Sequence, residues 1–149
     1  MDIVIRKVEP NTELNTKLLD FVENSSWDET KEHTAKMIRE NNFSDWEAMF
    51  VAMDGDRIIG HASIAKTDYY PMLEIYPWIS TVFVTEEYRG KKISGLLINH
   101  IEKYAKEIGF DTTYIPSEHF GIYERYGYDY IKDIENYGGE KDHLFSKKL

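Results

Sequence analysis

Hydrophobic positions recur with two different periods along the chain, and each period predicts one type of element. Apolar residues at three- and four-residue spacing predict helices. The predicted helices cover residues 14–22, 26 to about 40, 93–108 and 116–126. Apolar residues that alternate with polar ones predict strands. The predicted strands cover residues 3–8, 47–53, 57–65, 74–84, 112–115, 128–131 and 143–147.

Capping and turn residues mark where several of these elements begin and end. Thr12 is placed to cap the first helix, and Ser26-Trp27-Asp28-Glu29 matches a capping box before the second. Asp54-Gly55-Asp56 is typical of a tight turn in a β-hairpin. Pro77 lies inside the predicted 74–84 strand, and we expect an irregularity there because proline cannot donate a ladder hydrogen bond.

The composition excludes several classes of protein. Hydrophobic residues make up 42% and charged residues 30% of the 149-residue chain, so we expect one globular domain over residues 1–149. No apolar run approaches the ~20 residues of a membrane helix, and the N-terminus does not resemble a signal peptide. The chain has no cysteine, which excludes disulfides and favours a cytoplasmic location.

Charge and histidine spacing narrow the expected partners. The net charge of −9 makes nucleic acid an unsuitable partner, since binding a duplex requires a basic face. An acidic surface attracts cationic small molecules or basic peptides, although acidity can also serve solubility alone. No metal is expected, because the histidines lack metal-ligand spacing; they include His33, His100 and His143.

The segment from Val82 to Gly109 predicts an anion site. It consists of a strand, a tight turn over residues 89–92 and a helix whose start has no capping side chain. Arg89, Lys91 and Lys92 stand at the positive end of that helix, where carboxylates are usual. Phosphate is the natural ligand of uncapped N–H groups surrounded by cations. A solvated basic helix start is the alternative that the spacing alone leaves equally open.

A second group of interest is the aromatic run from His119 to Tyr128. A helix here would place Phe120, Tyr123 and Tyr126 on one face. Tyrosines in such positions commonly serve as core or interface residues. A phenol with a pKa of ~10 also keeps its proton at neutral pH and can donate it to a leaving thiolate.

These two segments, in this order and at this separation, resemble the Gcn5-related N-acetyltransferase (GNAT) family over nearly the whole chain. The most specific parts are residues 82–94 and 122–128. In the family's turn motif, Arg/Gln-x-x-Gly-x-Gly/Ala, Arg89 matches, while Lys92 and Ser94 stand where small residues are usual. Since glycine lets the backbone approach a pyrophosphate, Lys92 is expected to have a negative φ, as in a first helical turn.

The resemblance implies an α/β fold of the α+β type, with a mixed, twisted central sheet flanked by helices. It also implies that the sheet opens between the 74–84 and 112–115 strands, and that the pantetheine arm of acetyl-CoA lies in that gap. Backbone groups near Val82 and Val84 would pair with the arm. The implied cofactor contacts are Val82, Phe83, Val84, Arg89, Gly90, Lys91, Lys92, Ile93, Ser94, Gly95 and Ser117.

The activity implied by the resemblance is direct transfer of an acetyl group from acetyl-CoA to a primary amine of a small molecule or peptide. Tyr123 matches the family's tyrosine that protonates the departing thiolate. The alternative from another class is a non-catalytic acyl-CoA-binding sensor or interaction module. The resemblance leaves open whether the chain forms a homodimer, as many relatives do.

The acceptor side of the implied site has several candidate residues. Glu74 is the candidate general base, because similar enzymes often place a glutamate on this strand. Glu118 and His119 are alternatives, since they flank the predicted short helix. Trp78 and Trp27 are expected to line the acceptor pocket, where aromatic walls suit a primary amine.

Overall fold

The computed structural model describes residues 2–26, 31–41, 43 and 45–149. Within these residues the strands are β1 (Ile3–Val8), β2 (Ala48–Asp54), β3 (Arg57–Ala65), β4 (Trp78–Val84), β5 (Thr112–Ser117), β6 (Asp129–Glu135) and β7 (Lys141–Lys148). The α-helices are α1 (Glu13–Glu23), α2 (Lys31–Glu40) and α3 (Ile93–Glu107). Short 3₁₀ helices cover Glu86–Tyr88 and Tyr123–Tyr126. The strands form one mixed sheet in the order β1-β2-β3-β4-β5-β7-β6.

The order of elements follows the prediction closely at the N-terminal and central parts of the chain. Thr12 caps α1, and its side chain accepts the N–H of Asn15 at 3.2 Å. Asp54 pairs with Arg57, so the predicted hairpin turn between β2 and β3 is confirmed. The predicted capping box before α2 lies largely outside the described residues. In the described part of the chain, no helix is long and apolar enough to cross a membrane.

The predicted 116–126 helix is wrong. Strand β5 continues to Ser117 because Ser117 pairs with His143 of β7. Gly121 then adopts a positive φ of 91°, which interrupts any regular helix, and only the four residues Tyr123–Tyr126 form a 3₁₀ turn. Residues three apart in a 3₁₀ helix still share a face, so Tyr123 and Tyr126 remain neighbours as expected.

The strand predicted over residues 74–84 is shorter and more irregular than expected. It begins at Trp78, and Glu74 lies in the preceding turn. The irregularity expected at Pro77 is present as a cis Tyr76–Pro77 peptide bond just before the strand. A break in register falls further along, at Thr81, because Ser63 pairs with Ser80 whereas His61 pairs with Phe83. Thr81 has a positive φ of 51°, an uncommon conformation for a β-branched residue. Strand β4 therefore carries a β-bulge in its middle.

Both faces of the sheet are covered by helices. One face packs against α3 in a cluster of buried residues that includes Phe50, Ile59, Ile64, Ile79, Leu97, Ile98 and Ile101. The opposite face packs against α1 and α2 in a cluster that includes Val8, Leu18, Val22, Ile38, Met49 and Val51. Each fully buried large apolar side chain contributes about 1.5–3 kcal/mol. The central strand β3 is consequently buried from Ile58 to Ala65, and most of its residues are apolar.

Strands β4 and β5 are parallel but separate almost at once. Among the described residues, Trp78 and Tyr114 are the one pair of facing residues that joins the two strands. Counting onward from that pair places Ser117 of β5 across from Thr81 of β4. The predicted opening of the sheet is therefore present, and it begins beside the bulge.

His61 lies behind the bulge, on the neighbouring strand β3. Its side chain is 1% exposed and stands between the rings of Phe21 and Phe83, with centroids 6.0 and 5.6 Å away. Burial lowers the pKa of His61 to about 4, and a hydrogen bond to the Thr81 backbone acts in the opposite direction. At neutral pH the imidazole is therefore uncharged and packs as part of the core.

The low pKa of His61 predicts a loss of stability in mild acid. Between pH 6.5 and pH 4 the unfolded chain protonates this histidine and the folded chain does not, so the free energy of unfolding falls as pH falls. The full contribution is about 3 kcal/mol. Urea unfolding at pH 7 and pH 4.5 measures it. His61→Gln should flatten this pH dependence, whereas His100→Gln, at an exposed position, should leave it unchanged. The same change in the free energy of unfolding between pH 7 and pH 4.5 in the wild type, His61→Gln and His100→Gln would contradict the role of His61.

Candidate active site

The turn between β4 and α3 leaves the first amides of α3 uncapped. Lys92 occupies the N-cap position without a side-chain hydrogen bond to the helix, and no acidic residue stands in the first turn. Gly90 has a positive φ of 79°, and a Cβ built on it would meet no atom within 4 Å. The N–H groups of the first turn have no partner within the helix, and they form the positive end of the helix dipole. This geometry fits a phosphate group.

Lys92 does not have the negative φ expected from the sequence. Its φ is 61° and its ψ 24°, the left-handed conformation, and this turns the chain into α3 where the family usually has glycine. Such a conformation costs a non-glycine residue roughly 1–2 kcal/mol. The chain accepts this strain at a position where an exposed ammonium group stands beside the uncapped amides. The positive charge of Lys92 is available here in place of the close approach of backbone to a phosphate that glycine would allow.

Side-chain contacts hold the same turn against the sheet. The Nε of Arg89 donates to the carbonyl of Val84 at 2.9 Å, and its guanidinium lies 5.6 Å from the ring centroid of Phe83. The hydroxyl of Tyr88 donates to Asp54 at 2.5 Å, which ties the turn to the β2–β3 hairpin. Fewer backbone groups near Val82 and Val84 are therefore free to pair with a ligand than expected, because the Val84 carbonyl already accepts a hydrogen bond from Arg89.

The two segments singled out in the sequence touch each other in the fold. The hydroxyl of Ser94 lies 3.1 Å from that of Tyr126. A Cβ built on Gly95 would come within 2.7 Å of Cε1 of Tyr126, so only glycine lets the ring lie against the first turn of α3. Gly95, predicted as a cofactor contact, therefore has a packing role between the helix start and the 3₁₀ turn Tyr123–Tyr126, called here the tyrosine turn.

Tyr123 lies in the same tyrosine turn and is partly buried. It packs against the α3-side cluster, with its ring centroid 6.5 Å from that of Phe145. Burial, followed by the neighbouring Tyr126, raises the pKa of Tyr123 to about 12. The phenol is therefore fully protonated at neutral pH and available as a hydrogen-bond donor.

A buried polar network anchors the tyrosine turn to α3 and β7. The Tyr128 hydroxyl donates to Glu102 of α3 at 2.8 Å, and the ammonium group of Lys147 of β7 donates to the same carboxylate at 3.1 Å. Lys147 also donates to the carbonyl of Tyr126 at 2.9 Å. Since the Tyr128 N–H also donates to the Tyr123 carbonyl at 3.3 Å, this network fixes the backbone on both sides of the tyrosine turn.

The residues predicted on the acceptor side, and the predicted cofactor contact Ser117, lie in different surroundings. Glu74 was expected on the strand, but it is exposed in the turn before β4. Trp78 is fully buried and stacks on Tyr70, with ring centroids 5.4 Å apart. Ser117 accepts the backbone N–H of His119 at 3.0 Å through its hydroxyl. Their proposed contacts with ligands stay predictions, and Trp27 lies outside the described residues.

A series of hydrogen bonds at the bulge could not be predicted from the sequence. The Thr81 hydroxyl donates to the Ser63 hydroxyl at 3.0 Å, and Ser63 donates to the carbonyl of Ser80 at 3.2 Å. The Ser80 hydroxyl in turn donates to the carboxylate of Asp68. No sequence motif indicates these hydrogen bonds, because Asp68 lies in the loop after β3 and comes next to β4 only in the folded protein.

A cavity of about 610 Å³ opens on the α1 side of the sheet, beside the end of β4. Phe21 and Phe83 form part of its wall. Its charged lining residues are Lys17, Asp20, Asp56, Arg57, Glu86 and Glu87. Carboxylates therefore outnumber cations in this cavity. In the described part of the chain, inside this cavity or outside it, no group of three or more His, Cys, Asp or Glu side chains is arranged to hold a metal ion.

A sheet that opens beside a bulged strand, next to an uncapped basic helix start and a protonated tyrosine, defines an acyl-CoA-dependent transferase. The family model described as "Acetyltransferase (GNAT) family" matches residues 17–128. The chain belongs to this family and is an acetyl-CoA-dependent acetyltransferase. No curated protein matches the sequence.

Solved structures share the fold over nearly the whole chain. An aminoglycoside 6'-N-acetyltransferase complexed with coenzyme A has 16% identity and a TM-score of 0.72, covering 97% of this chain and 96% of that one. The aminoglycoside 6'-N-acetyltransferase from Enterococcus faecium has 17% identity and a TM-score of 0.73, with the same coverage of 97% and 96%. A GNAT family acetyltransferase from Elizabethkingia anophelis with acetyl-CoA bound has 17% identity and a TM-score of 0.65, covering 99% and 98%.

Proposed function

We propose that this chain is an N-acetyltransferase that moves the acetyl group of acetyl-CoA directly to a primary amine of a small molecule or peptide. The observation that carries the proposal is the contact of Tyr126 with Ser94 and Gly95. This contact joins the turn that bears Tyr123 to the uncapped start of α3. The proposed proton donor and the proposed phosphate site are thereby parts of one packed unit beside the opening of the sheet.

The proposed cofactor contacts divide into backbone and side-chain groups. Ile93 and Phe83 are 2% and 7% exposed, so their contribution would come from the backbone. The first amides of α3, from Ile93 to Gly95, would hold the pyrophosphate with Gly90 of the turn, and the cations would add charge-assisted hydrogen bonds. These cations are Arg89, Lys91 and Lys92. Backbone groups of Val82 and Val84 would face the arm from one side of the opening and Ser117 from the other.

The bound cosubstrate supplies the activated acetyl group, and the chain's own groups would act around its thioester. A backbone N–H at Val82 or Val84 would polarise the carbonyl as the amine attacks. The C–N bond forms and the C–S bond breaks, while the Tyr123 hydroxyl donates to the departing sulfur. The chain has no cysteine, so transfer through an acyl-cysteine is excluded. Glu74, predicted as the base, is a candidate to take the proton of the amine.

Acidic surface supports a cationic amine as the acceptor. The chain carries a net charge of −9, and carboxylates outnumber cations around the cavity on the α1 side. Two of the similar structures are aminoglycoside 6'-N-acetyltransferases, and aminoglycosides are polyamines of this chemical class. Trp27 remains the proposed aromatic contact, whereas Trp78 is fully buried against Tyr70 and could support the pocket only from behind. The lack of cysteine supports a cytoplasmic location.

Release of free CoA thiol with a panel of amines tests this function. The panel contains polyamines, aminoglycosides, amino acids and peptides with free N-termini. We expect at least one primary amine to raise thiol release in a saturable way, while its tertiary-amine counterpart of equal charge does not. Tight acetyl-CoA binding without acceleration by any amine would favour the acyl-CoA-binding sensor instead. Thermal shift in the presence of CoA ranks the amines beforehand, because a ligand of the native state raises Tm.

A further inference from the structure

The acceptor amine must lose a proton during the transfer, and the described structure offers a group for it that the sequence did not suggest. An amine is protonated at neutral pH and attacks a carbonyl only in its neutral form. Glu74 is exposed in a turn outside β4. Ser80, in contrast, lies on β4 between the last pair with β5 and the bulge at Thr81. It stands where the opening of the sheet begins.

The Ser80 hydroxyl is oriented by Asp68. It donates its hydrogen to Oδ2 of that carboxylate, while Oδ1 accepts the backbone N–H of Tyr69 at 2.6 Å. A serine hydroxyl has one hydrogen and two lone pairs. With the hydrogen committed to Asp68, the lone pairs of Ser80 are left to accept a hydrogen bond from another donor. Ser80 is therefore prepared to receive a proton rather than to give one to an incoming amine.

The surroundings of Asp68 favour a carboxylate that takes up protons readily. Burial in the loop after β3 is the main cause that raises its pKa, and Asp142 of β7 raises it further. The Ser80 and Tyr69 hydrogen bonds and the charge of His33 on α2 act in the opposite direction. Asp142 is itself occupied, since it accepts the Tyr70 hydroxyl at 2.6 Å. Asp68 is half-buried, so a proton that it takes can still reach water.

The fold places this pair on the correct side of the sheet for an acceptor. Val82 and Val84 pack with the α3-side cluster, whereas Ser80 points to Asp68, which lies within electrostatic range of His33 on α2. The bulge at Thr81 causes this change of face, because it inserts one residue between the two sets. A cofactor held along Val82 and Val84 and an amine arriving from the α2 side would meet next to Ser80.

We propose that Asp68 is the final acceptor of the proton released by the acceptor amine, and that the Ser80 hydroxyl transfers it. This proposal rests on the proposed N-acetyltransferase function. Before the C–N bond forms, one ammonium proton of the acceptor moves to Oγ of Ser80 and the hydroxyl proton of Ser80 moves to Oδ2 of Asp68. The second N–H proton, lost as the amide forms, replaces through solvent the proton that Tyr123 gives to sulfur. The electron pair of the breaking C–S bond stays on sulfur, to which Tyr123 donates. Asp68 ends as a carboxylic acid and returns its proton to water.

The test compares kcat as a function of pH for Asp68→Asn and Ser80→Ala with the best primary amine of the panel. We expect kcat at pH 7 to fall about 100-fold in both variants, with the KM for acetyl-CoA unchanged within about twofold. The wild-type fall of kcat on the acid side, caused by protonation of Asp68, should disappear in Asp68→Asn. The double variant should be no slower than either single one, because the two residues act in one step. Ser80→Thr, which keeps a hydroxyl, should restore activity.

Three controls separate this role from the alternatives. Asp129→Asn, at an exposed position of β6, should keep the wild-type profile. Glu74→Gln tests the competing base: loss of the acid-side fall in that variant, with Asp68→Asn unaffected, would overturn the proposal. A fall in kcat with an unchanged pH profile in Asp68→Asn would show a structural role and also overturn it. If no amine is acetylated by the wild type, the proposed function fails as well, whereas normal turnover by Asp68→Asn contradicts the proton transfer alone.

Discussion

Replacement of Tyr123 by phenylalanine is expected to lower kcat at least 100-fold while the Kd for acetyl-CoA stays within about twofold. The substitution keeps the ring that packs near Phe145 and removes only the hydroxyl that donates to the leaving sulfur. Burial raises the pKa of Tyr123 to about 12. The donor is therefore lost only as pH rises towards 12, and wild-type activity should show no alkaline fall from this group below about pH 10. Steady-state kinetics from pH 6 to pH 10, with calorimetric acetyl-CoA binding, measures both effects.

Tyr130→Phe is the matched control for this prediction. Tyr130 is exposed on β6, and its hydroxyl donates to Asp133 at 2.9 Å, away from the tyrosine turn. That variant should retain wild-type kcat. A Tyr123→Phe enzyme with more than half of the wild-type kcat would remove this hydroxyl from the chemical step, even if cofactor binding were unaffected.

Replacement of Lys92 by glycine is expected to change stability and cofactor affinity in opposite directions. Glycine adopts the positive φ of 61° without strain, and the net gain in the free energy of unfolding is about 0.5–1 kcal/mol. This gain corresponds to a rise in Tm of about 3 °C. Loss of the ammonium group should weaken CoA binding about 10-fold, since a charge-assisted hydrogen bond is worth about 1.5–3 kcal/mol. Calorimetry and thermal unfolding measure the two effects on one sample.

Lys91→Gly separates charge from backbone conformation. Lys91 is also exposed and cationic but is absent from the residues with positive φ, so its replacement should weaken CoA binding without raising Tm. Binding of a pantetheine analogue without the pyrophosphate should be unchanged in Lys92→Gly. Equal weakening for CoA and for this analogue would contradict the phosphate site at the start of α3.

Helix α3 and the turn before it were predictable because their signals lie close together in sequence. Apolar residues from Ile93 to Ile108 follow the helical period, and Gly109 beyond it has a φ of 106°, as a helix-ending glycine does. The cations at the helix start are visible in the same short segment. Tyr123 was singled out through the family resemblance of residues 122–128. Its position on one face with Tyr126 remains, although the predicted helix is only a 3₁₀ turn.

The conformation of Lys92 could not be deduced from the sequence. Its left-handed φ lies in a turn whose neighbouring residues are held by contacts that form only in the fold. Tyr88 bonds Asp54, and Arg89 bonds the Val84 carbonyl. Spacing alone could suggest that a lysine replaced a glycine, but not that the lysine kept the glycine's conformation.

Except for the wrongly predicted 116–126 helix, the sequence alone determined the order of elements and the two segments that mark the family, because periodicity, caps and turn residues act over a few neighbouring positions. Only the tertiary structure decided where β4 bulges, and this bulge turns Ser80 towards Asp68 and Val82 towards α3. Strand register and the opening between β4 and β5 depend on the packing of helices on both faces of the sheet. Residues that are far apart in the chain, such as Asp68 and Ser80, therefore meet for reasons that no local pattern contains.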